Sequence, residues 1–241
     1  MPALVHQFFC RSDNYGVLIH DPASGATAAI DAPEAAAVEK ALTETGWKLT
    51  DIFVTHRHID HIEGIPALVA AHGARVTAPE KARAEVPGAA AYVGEGDTVR
   101  LGTLSARVWD TPGHCRDHIA YYFSEDKILF AGDTLFAMGC GRVSESTYDE
   151  MWASLSRMAA LPGDTIVYCG HEYTVSNAKF ALHVDADNAA LQKRAREVEA
   201  LRAKDAATLP TTIALELATN PFLRAGTAER FGELRDAKNR F

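Results

Sequence analysis

The sequence predicts an α/β chain with a mostly helical C-terminal part, and three observations predict it. Short strands rich in β-branched and aromatic residues are interleaved with helical segments over the first 173 residues. Several of these strands run into a small residue and then a His or an Asp, so potential ligands gather at strand ends. After about Thr174 the strand signal stops, and charged residues recur at helical spacing in "NAALQKRAREVEALRAK". Two domains are expected, residues 1–173 and residues 174–241.

In order along the chain, "HQFF", "NYGVLIHD" and "ATAAIDAP" read as short strands, with "DPASG" as a turn between the second and third. Residues 33–46 read as an Ala-rich helix that Gly46 stops. "LTDIFVTH" is a strand, "IEGIPALVAAHGA" one helix after it, and "ARVT" the next strand. "DTVRLG", "LSARVWDTPGH", "HIAYYFS" and "KILFAGDT" continue the strands. "YDEMWASLSRMAAL" has the pattern of an amphipathic helix, and "DTIVYCGH" is a further strand. The stretch "LPTTIALELATNPF" reads as a connecting loop.

Composition bounds the function. The chain is 47% hydrophobic, enough for a sizeable core, yet has no run of eighteen apolar residues, so no membrane partner is expected. The start "MPALVHQFFC" shows no basic n-region or apolar h-region of a secretory signal. Cys10, Cys115, Cys140 and Cys169 show no CxxC pairing, which suits free thiols in a reducing cytoplasm. A formal net charge of −8 argues against nucleic acid as the partner. An anionic substrate would need a local basic site, and a monomer is expected.

The chemistry concentrates in "VTHRHIDH". His56 and His58 are two apart, so on an extended strand end both point the same way and can reach one metal. Asp60 and His61 lie just past the strand and can face a second. Burying four such groups without a metal would leave polar atoms unpaired. Further ligands follow at other strand ends: His114 in "DTPGHCRDH", Asp133 in "LFAGDTLF" and His171 in "IVYCGHEY". A Gly beside a ligand lets the backbone turn tightly. The count closes as His56, His58 and His114 on one ion, Asp60, His61 and His171 on the other, and Asp133 shared. His6, His20, His72 and His183 read as surface or packing residues, and His118 as a neighbour of the ligands at most. His and Asp donors suit zinc first, and iron or manganese as well. Two divalent ions acidify a shared water and polarise a carbonyl, so hydrolysis of an acyl or phosphoryl bond is expected, with Asp60 and Asp133 as catalytic ligands. Cys115 and Cys140 lie near the ligands in sequence, but neither sits in a nucleophile signature.

With Asp31 in "AIDAP", these motifs resemble the metallo-β-lactamase superfamily. The resemblance implies a four-layer αβ/βα sandwich, with the metals at one edge and Asp31 supporting the ligand loop rather than binding metal. Fold alone does not select a substrate. "GDTLFAMGCGR", "GHEYT", "NPF" and the C-terminal "RDAKNRF" resemble the glyoxalase II, or hydroxyacylglutathione hydrolase, family over nearly the whole chain. That resemblance implies glutathione-binding roles for Arg142 and Tyr173 near the peptide backbone, and for Arg235 and Lys238 at the glycyl carboxylate. It implies hydrolysis of S-(2-hydroxyacyl)glutathione, such as S-D-lactoylglutathione, to glutathione and a 2-hydroxy acid, the second step of methylglyoxal detoxification. One departure is Ser144, where many members of the family carry an aromatic ring. The rival readings are a glutathione persulfide dioxygenase with one iron, and a lactonase or β-lactamase on the same fold. A non-catalytic metal-binding scaffold is disfavoured by the complete set of seven ligand positions.

Overall fold

The computed structural model describes all 241 residues, in two compact units: Met1–Asp110 with Asp117–Asp126, and Thr111–Arg116 with Lys127–Phe241.

The first unit contains β1 (Leu4–Cys10), β2 (Asn14–His20), β3 (Thr27–Ile30), α1 (Ala35–Thr45), β4 (Asp51–Phe53), α2 (Ile59–Ile62), α3 (Ile65–His72), β5 (Arg75–Pro79), β6 (Ala91–Val93), β7 (Thr98–Leu101), β8 (Leu104–Asp110) and β9 (Ile119–Phe123). Its sheet has the order β1-β2-β3-β4-β5-β6. Short turns join β1, β2 and β3, which are therefore antiparallel. Helical crossovers carry the chain from β3 to β4 and from β4 to β5, which makes those neighbours parallel. The parallel strands are apolar and buried, and Leu18, Ala29, Ile52, Val54 and Val76 pack with Val38, Ala41 and Leu42 of α1. The i, i+3, i+4 spacing of those three residues gives α1 its buried stripe. Gly46 ends α1 in the left-handed conformation, with φ +72°, as its place after the apolar run predicts. β7, β8 and β9 form an antiparallel meander.

The single helix expected over "IEGIPALVAAHGA" is two. A Cβ on Gly64 would lie 2.8 Å from the Ala35 nitrogen and 2.9 Å from the Ala32 oxygen, so the chain breaks where it must pass close to that backbone. Pro66 then sits in the first turn of α3, where its missing N–H costs nothing.

The second unit contains β10 (Ile128–Phe130), β11 (Leu135–Phe136), β12 (Gly139–Cys140), α4 (Tyr148–Ala159), β13 (Ile166–Tyr168), α5 (Thr174–Val184), α6 (Ala189–Arg202), β14 (Thr211–Thr212), α7 (Ile213–Thr219) and α8 (Ala228–Arg240). β10 and β13 are parallel, joined through α4, which Thr147 and Glu150 open with a reciprocal capping box. Phe180, Phe222 and Phe231 are fully buried, with Phe222 5.8 Å from each of the other two rings. The stretch expected to be a loop, "LPTTIALELATNPF", instead forms β14 and α7. Thr212 caps α7 through its hydroxyl, and Ile213, Glu216 and Thr219 turn inward at helical spacing.

Candidate metal centre

In the first unit, parallel β3 and β4 end at the same sheet edge. Asp31 follows β3, and "VTHRHIDH" follows β4. The chain stays extended up to His58 (φ −59°, ψ 141°) before α2 begins. His56 Nε2 and His58 Nδ1 lie 3.1 Å apart, as their spacing of two predicts. Asp60 and His61 sit on α2, with His61 Nε2 3.7 Å from Asp60 Oδ2. Asp31 adopts φ +59° and is buried. Its Oδ1 accepts from the Thr55 amide at 2.7 Å, and its Oδ2 accepts from the Thr55 hydroxyl and from His61 Nδ1, each at 2.7 Å. Both oxygens are spent on the ligand loop.

In the second unit, Asp133 follows β10 and His171 follows β13, again at the C-terminal ends of a parallel pair. Gly132 takes φ +49° and turns the chain into Asp133. Asp133 Oδ2 lies 3.6 Å from His114 Nε2 and 3.3 Å from His171 Nε2. Gly141 of "GCGR" passes so close that a Cβ there would fall 2.0 Å from the Asp133 carbonyl oxygen and 3.2 Å from His114 Cβ. Backbone cannot yield that far, so only glycine fits.

Partners fix the tautomers of three of these histidines. Carboxylate and carbonyl oxygens only accept, so a neutral imidazole facing one places its proton there. His61 therefore donates from Nδ1 to Asp31, and His114 donates from Nδ1 to the Arg142 carbonyl at 3.0 Å. Thr55 gives its hydroxyl proton to Asp31 and accepts from His56 Nδ1 at 3.0 Å. Each ring is left with Nε2 as a lone-pair donor, aimed at another nitrogen or at a carboxylate oxygen. Where such a lone pair faces a carboxylate oxygen, as His114 Nε2 faces Asp133 and His61 Nε2 faces Asp60, the two repel unless a cation lies between them, and imidazole–carboxylate sets of this kind fit a divalent transition metal.

The candidate substrate residues lie in the second unit. Arg142 is exposed, and no carboxylate pairs with its guanidinium. The Tyr173 ring stacks on His171 at 4.7 Å, with the planes 2° apart. Arg235 is buried, and its Nη1 donates to the Cys140 carbonyl at 3.0 Å while Nε donates to Asn239. Neither bond uses Nη2. Lys238 Nζ donates to the carbonyl of Ser176 at 2.8 Å and its hydroxyl at 3.1 Å. All four cysteines are free and buried, and burial pushes the Cys140 thiol up to about 11, so it stays protonated at neutral pH. His20 stacks on Trp47 and His72 bonds Glu39, the packing and surface roles their context predicted.

Two supporting residues had no signal in the sequence pattern. Asn14, at the start of β2, donates from Nδ2 to the backbone oxygen of Asp60 at 3.1 Å and to its Oδ2 at 3.2 Å. Glu216 accepts the Met138 amide at 2.8 Å and so holds the β11–β12 turn.

The description "Metallo-beta-lactamase superfamily" matches residues 5–171, and "Hydroxyacylglutathione hydrolase C-terminus" matches residues 172–241. A hydroxyacylglutathione hydrolase of Methylobacterium nodulans is 54% identical, covering 98% of this chain and 99% of its own. One of Rhodopseudomonas palustris is 53% identical, with 99% of each chain covered. Among solved structures, ETHE1 from Myxococcus xanthus superposes with a TM-score of 0.75 at 29% identity, over 98% of this chain and 91% of its own. The chain thus has the metallo-β-lactamase fold with a helical C-terminal region, and it belongs to the hydroxyacylglutathione hydrolase family.

Proposed function

We propose that the protein hydrolyses the thioester of S-(2-hydroxyacyl)glutathione, S-D-lactoylglutathione among such substrates, to glutathione and a 2-hydroxy acid. The reading assigns His56, His58 and His114 to one divalent ion, Asp60, His61 and His171 to a second, and Asp133 to both. Zinc is the first choice for this nitrogen and oxygen donor set. When bound, such ions acidify water and polarise the thioester carbonyl. The observation that supports the reading is the set of three histidines whose Nδ1 atoms face oxygen acceptors, which leaves each Nε2 able to ligate a metal. The chain's own residues do the rest. Asp31 and Asn14 hold His61 and Asp60 in place, and the exposed Arg142 guanidinium offers the peptide of glutathione a cation. Free, buried thiols fit a cytoplasmic protein.

The test is elemental analysis of the purified protein, paired with turnover of S-D-lactoylglutathione. Two divalent ions per chain and thioester hydrolysis are expected. Bound metal without hydrolysis, or oxygen uptake with glutathione persulfide, would favour the dioxygenase reading. The family match over residues 172–241 and the higher identity of the hydrolase relatives weigh against it.

Lys238 and Arg235 supply two cations for the glycyl carboxylate, and pH tests the pairing. Burial first, and the charge of Arg235 second, push the Lys238 ammonium down to about 8. Below that pH the ammonium is charged and attracts the carboxylate. Above it the charge is lost, so KM is expected to rise by up to roughly tenfold per pH unit, with kcat little changed. Lys238→Arg keeps its charge at every accessible pH and is expected to flatten the rise. A KM that does not change between pH 7 and 10 in the unmodified protein would remove Lys238 from the binding site.

A further inference from the structure

Residues 55–57, which carry the first metal ligand, are each met by one residue of the segment 117–119. The Thr55 carbonyl accepts from the Ile119 amide at 2.9 Å. The His56 ring lies against the His118 ring, with centroids 4.8 Å apart and planes 28° apart. The Arg57 amide donates to Asp117 Oδ2 at 2.8 Å, and its Nη1 donates to Asp117 Oδ1. Asp117 is 2% exposed. Glu85 Oε1 is a second acid, 3.9 Å from Arg57 Nε.

Extended backbone alternates its faces. His56 and His58 share one face, since their ring nitrogens are 3.1 Å apart, and Arg57 between them belongs to the other. A carboxylate that holds both the amide and the guanidinium of Arg57 fixes that residue at its two ends. The segment then cannot roll about its own axis, and the two histidines keep their aim. We propose that Asp117 is a positioning residue for the metal centre, acting through Arg57 from the face opposite the ligands. The proposal rests on the metal-centre reading above. A half-buried Asp–Arg pair is a poor source of stability, since desolvating the Asp117 carboxylate offsets much of the attraction to Arg57. Its return here is geometric: it sets the direction of two ligands with one anchor.

The test uses the metal-loaded protein and three variants: Asp117→Asn, which keeps an oxygen for the Arg57 amide but not the charge, Asp117→Ala, and Arg57→Lys, which keeps the charge but not the planar fork. The readouts are the rate at which a chelator extracts metal, the d–d absorption of the cobalt(II)-loaded protein, and the urea midpoint. Both Asp117 variants are expected to lose one of two ions at least about tenfold faster than the parent, the range seen when a partner of a metal ligand is removed. Their cobalt spectra should shift, and kcat should fall with KM unchanged. Arg57→Lys should fall between parent and Asp117→Asn, so the series stays readable if Asp117→Ala does not fold. Lower urea midpoints with parental extraction rates and an unchanged cobalt spectrum would make the pair merely structural and overturn the proposal. A parent protein that takes up no metal would overturn it too, through the metal-centre reading itself, and that failure is recognisable because no variant enters into it.

Discussion

Asp133→Ala is expected to lose bound metal and thioester hydrolysis together. Asp133 is 6% exposed, and its Oδ2 stands within 3.6 Å of the Nε2 atoms of both His114 and His171. In the proposed assignment it is the one side chain that serves both ions, so its removal weakens both. Loss of a group that only orients a ligand costs 10–100-fold in affinity, and loss of a ligand itself should cost at least about a hundredfold. The metal-free variant should not unfold more easily than the metal-free parent, because the substitution removes a buried carboxylate that needs a cation. The metal-loaded parent should melt well above both, as binding to the native state alone requires. Metal analysis and thermal melts with and without chelator check the three statements together. An Asp133→Ala protein that keeps two ions and hydrolyses lactoylglutathione would refute the shared-ligand assignment.

The clustering of the candidate ligands at strand ends was legible because its signal is local. The spacing of two in His56-x-His58 reports a shared face wherever the backbone is extended, and the apolar runs before Asp133 and His171 report strands that must end beside them. The glycine before Asp133 announces a turn that the structure shows as φ +49°. The supports were not legible, because their partners are remote in sequence. Asn14 reaches Asp60 across 46 positions, and Asp117 reaches Arg57 across 60. Nothing in the periodicity of either segment encodes such a pairing. The Arg235–Lys238 spacing correctly placed two cations on one turn of α8. It did not reveal that Arg235 donates to Cys140, 95 residues earlier, and so braces "GCGR" from below. The stretch read as a loop hid a helix of seven residues, too short for periodicity to stand out between β-branched residues. Its Thr212 cap before an apolar run was the available clue.

That short helix carries the second large effect. Glu216→Ala is expected to destabilise the protein by about 3–5 kcal/mol, the usual result of stripping one partner from a buried ion pair. Glu216 is 0% and Arg194 5% exposed. Arg194 Nη2 donates to Glu216 Oε1 at 2.5 Å and to Thr211 Oγ1 at 2.8 Å, and Nη1 donates to Thr219 at 2.5 Å. The other Glu216 oxygen accepts from the Met138 amide and, at 3.0 Å, from Asn220 Nδ2. Asn220 Nδ2 in turn donates to the Gly139 carbonyl at 2.9 Å. The network therefore fastens α6 and α7 to the β11–β12 turn at Met138 and Gly139, four and three residues before Arg142, whose carbonyl fixes the tautomer of His114. Stability and function should separate in the double variant Arg194→Met/Glu216→Met. Two apolar side chains of similar length remove both charges at once, so most of the lost stability should return. The Met138 amide would still lack its acceptor, so the turn would stay loose and kcat should remain well below that of the parent. Urea unfolding of the single and double variants, read beside lactoylglutathione turnover, distinguishes the two contributions. A Glu216→Ala protein destabilised by less than about 1 kcal/mol would mean that water reaches Arg194 and that the ion pair is not what holds the turn.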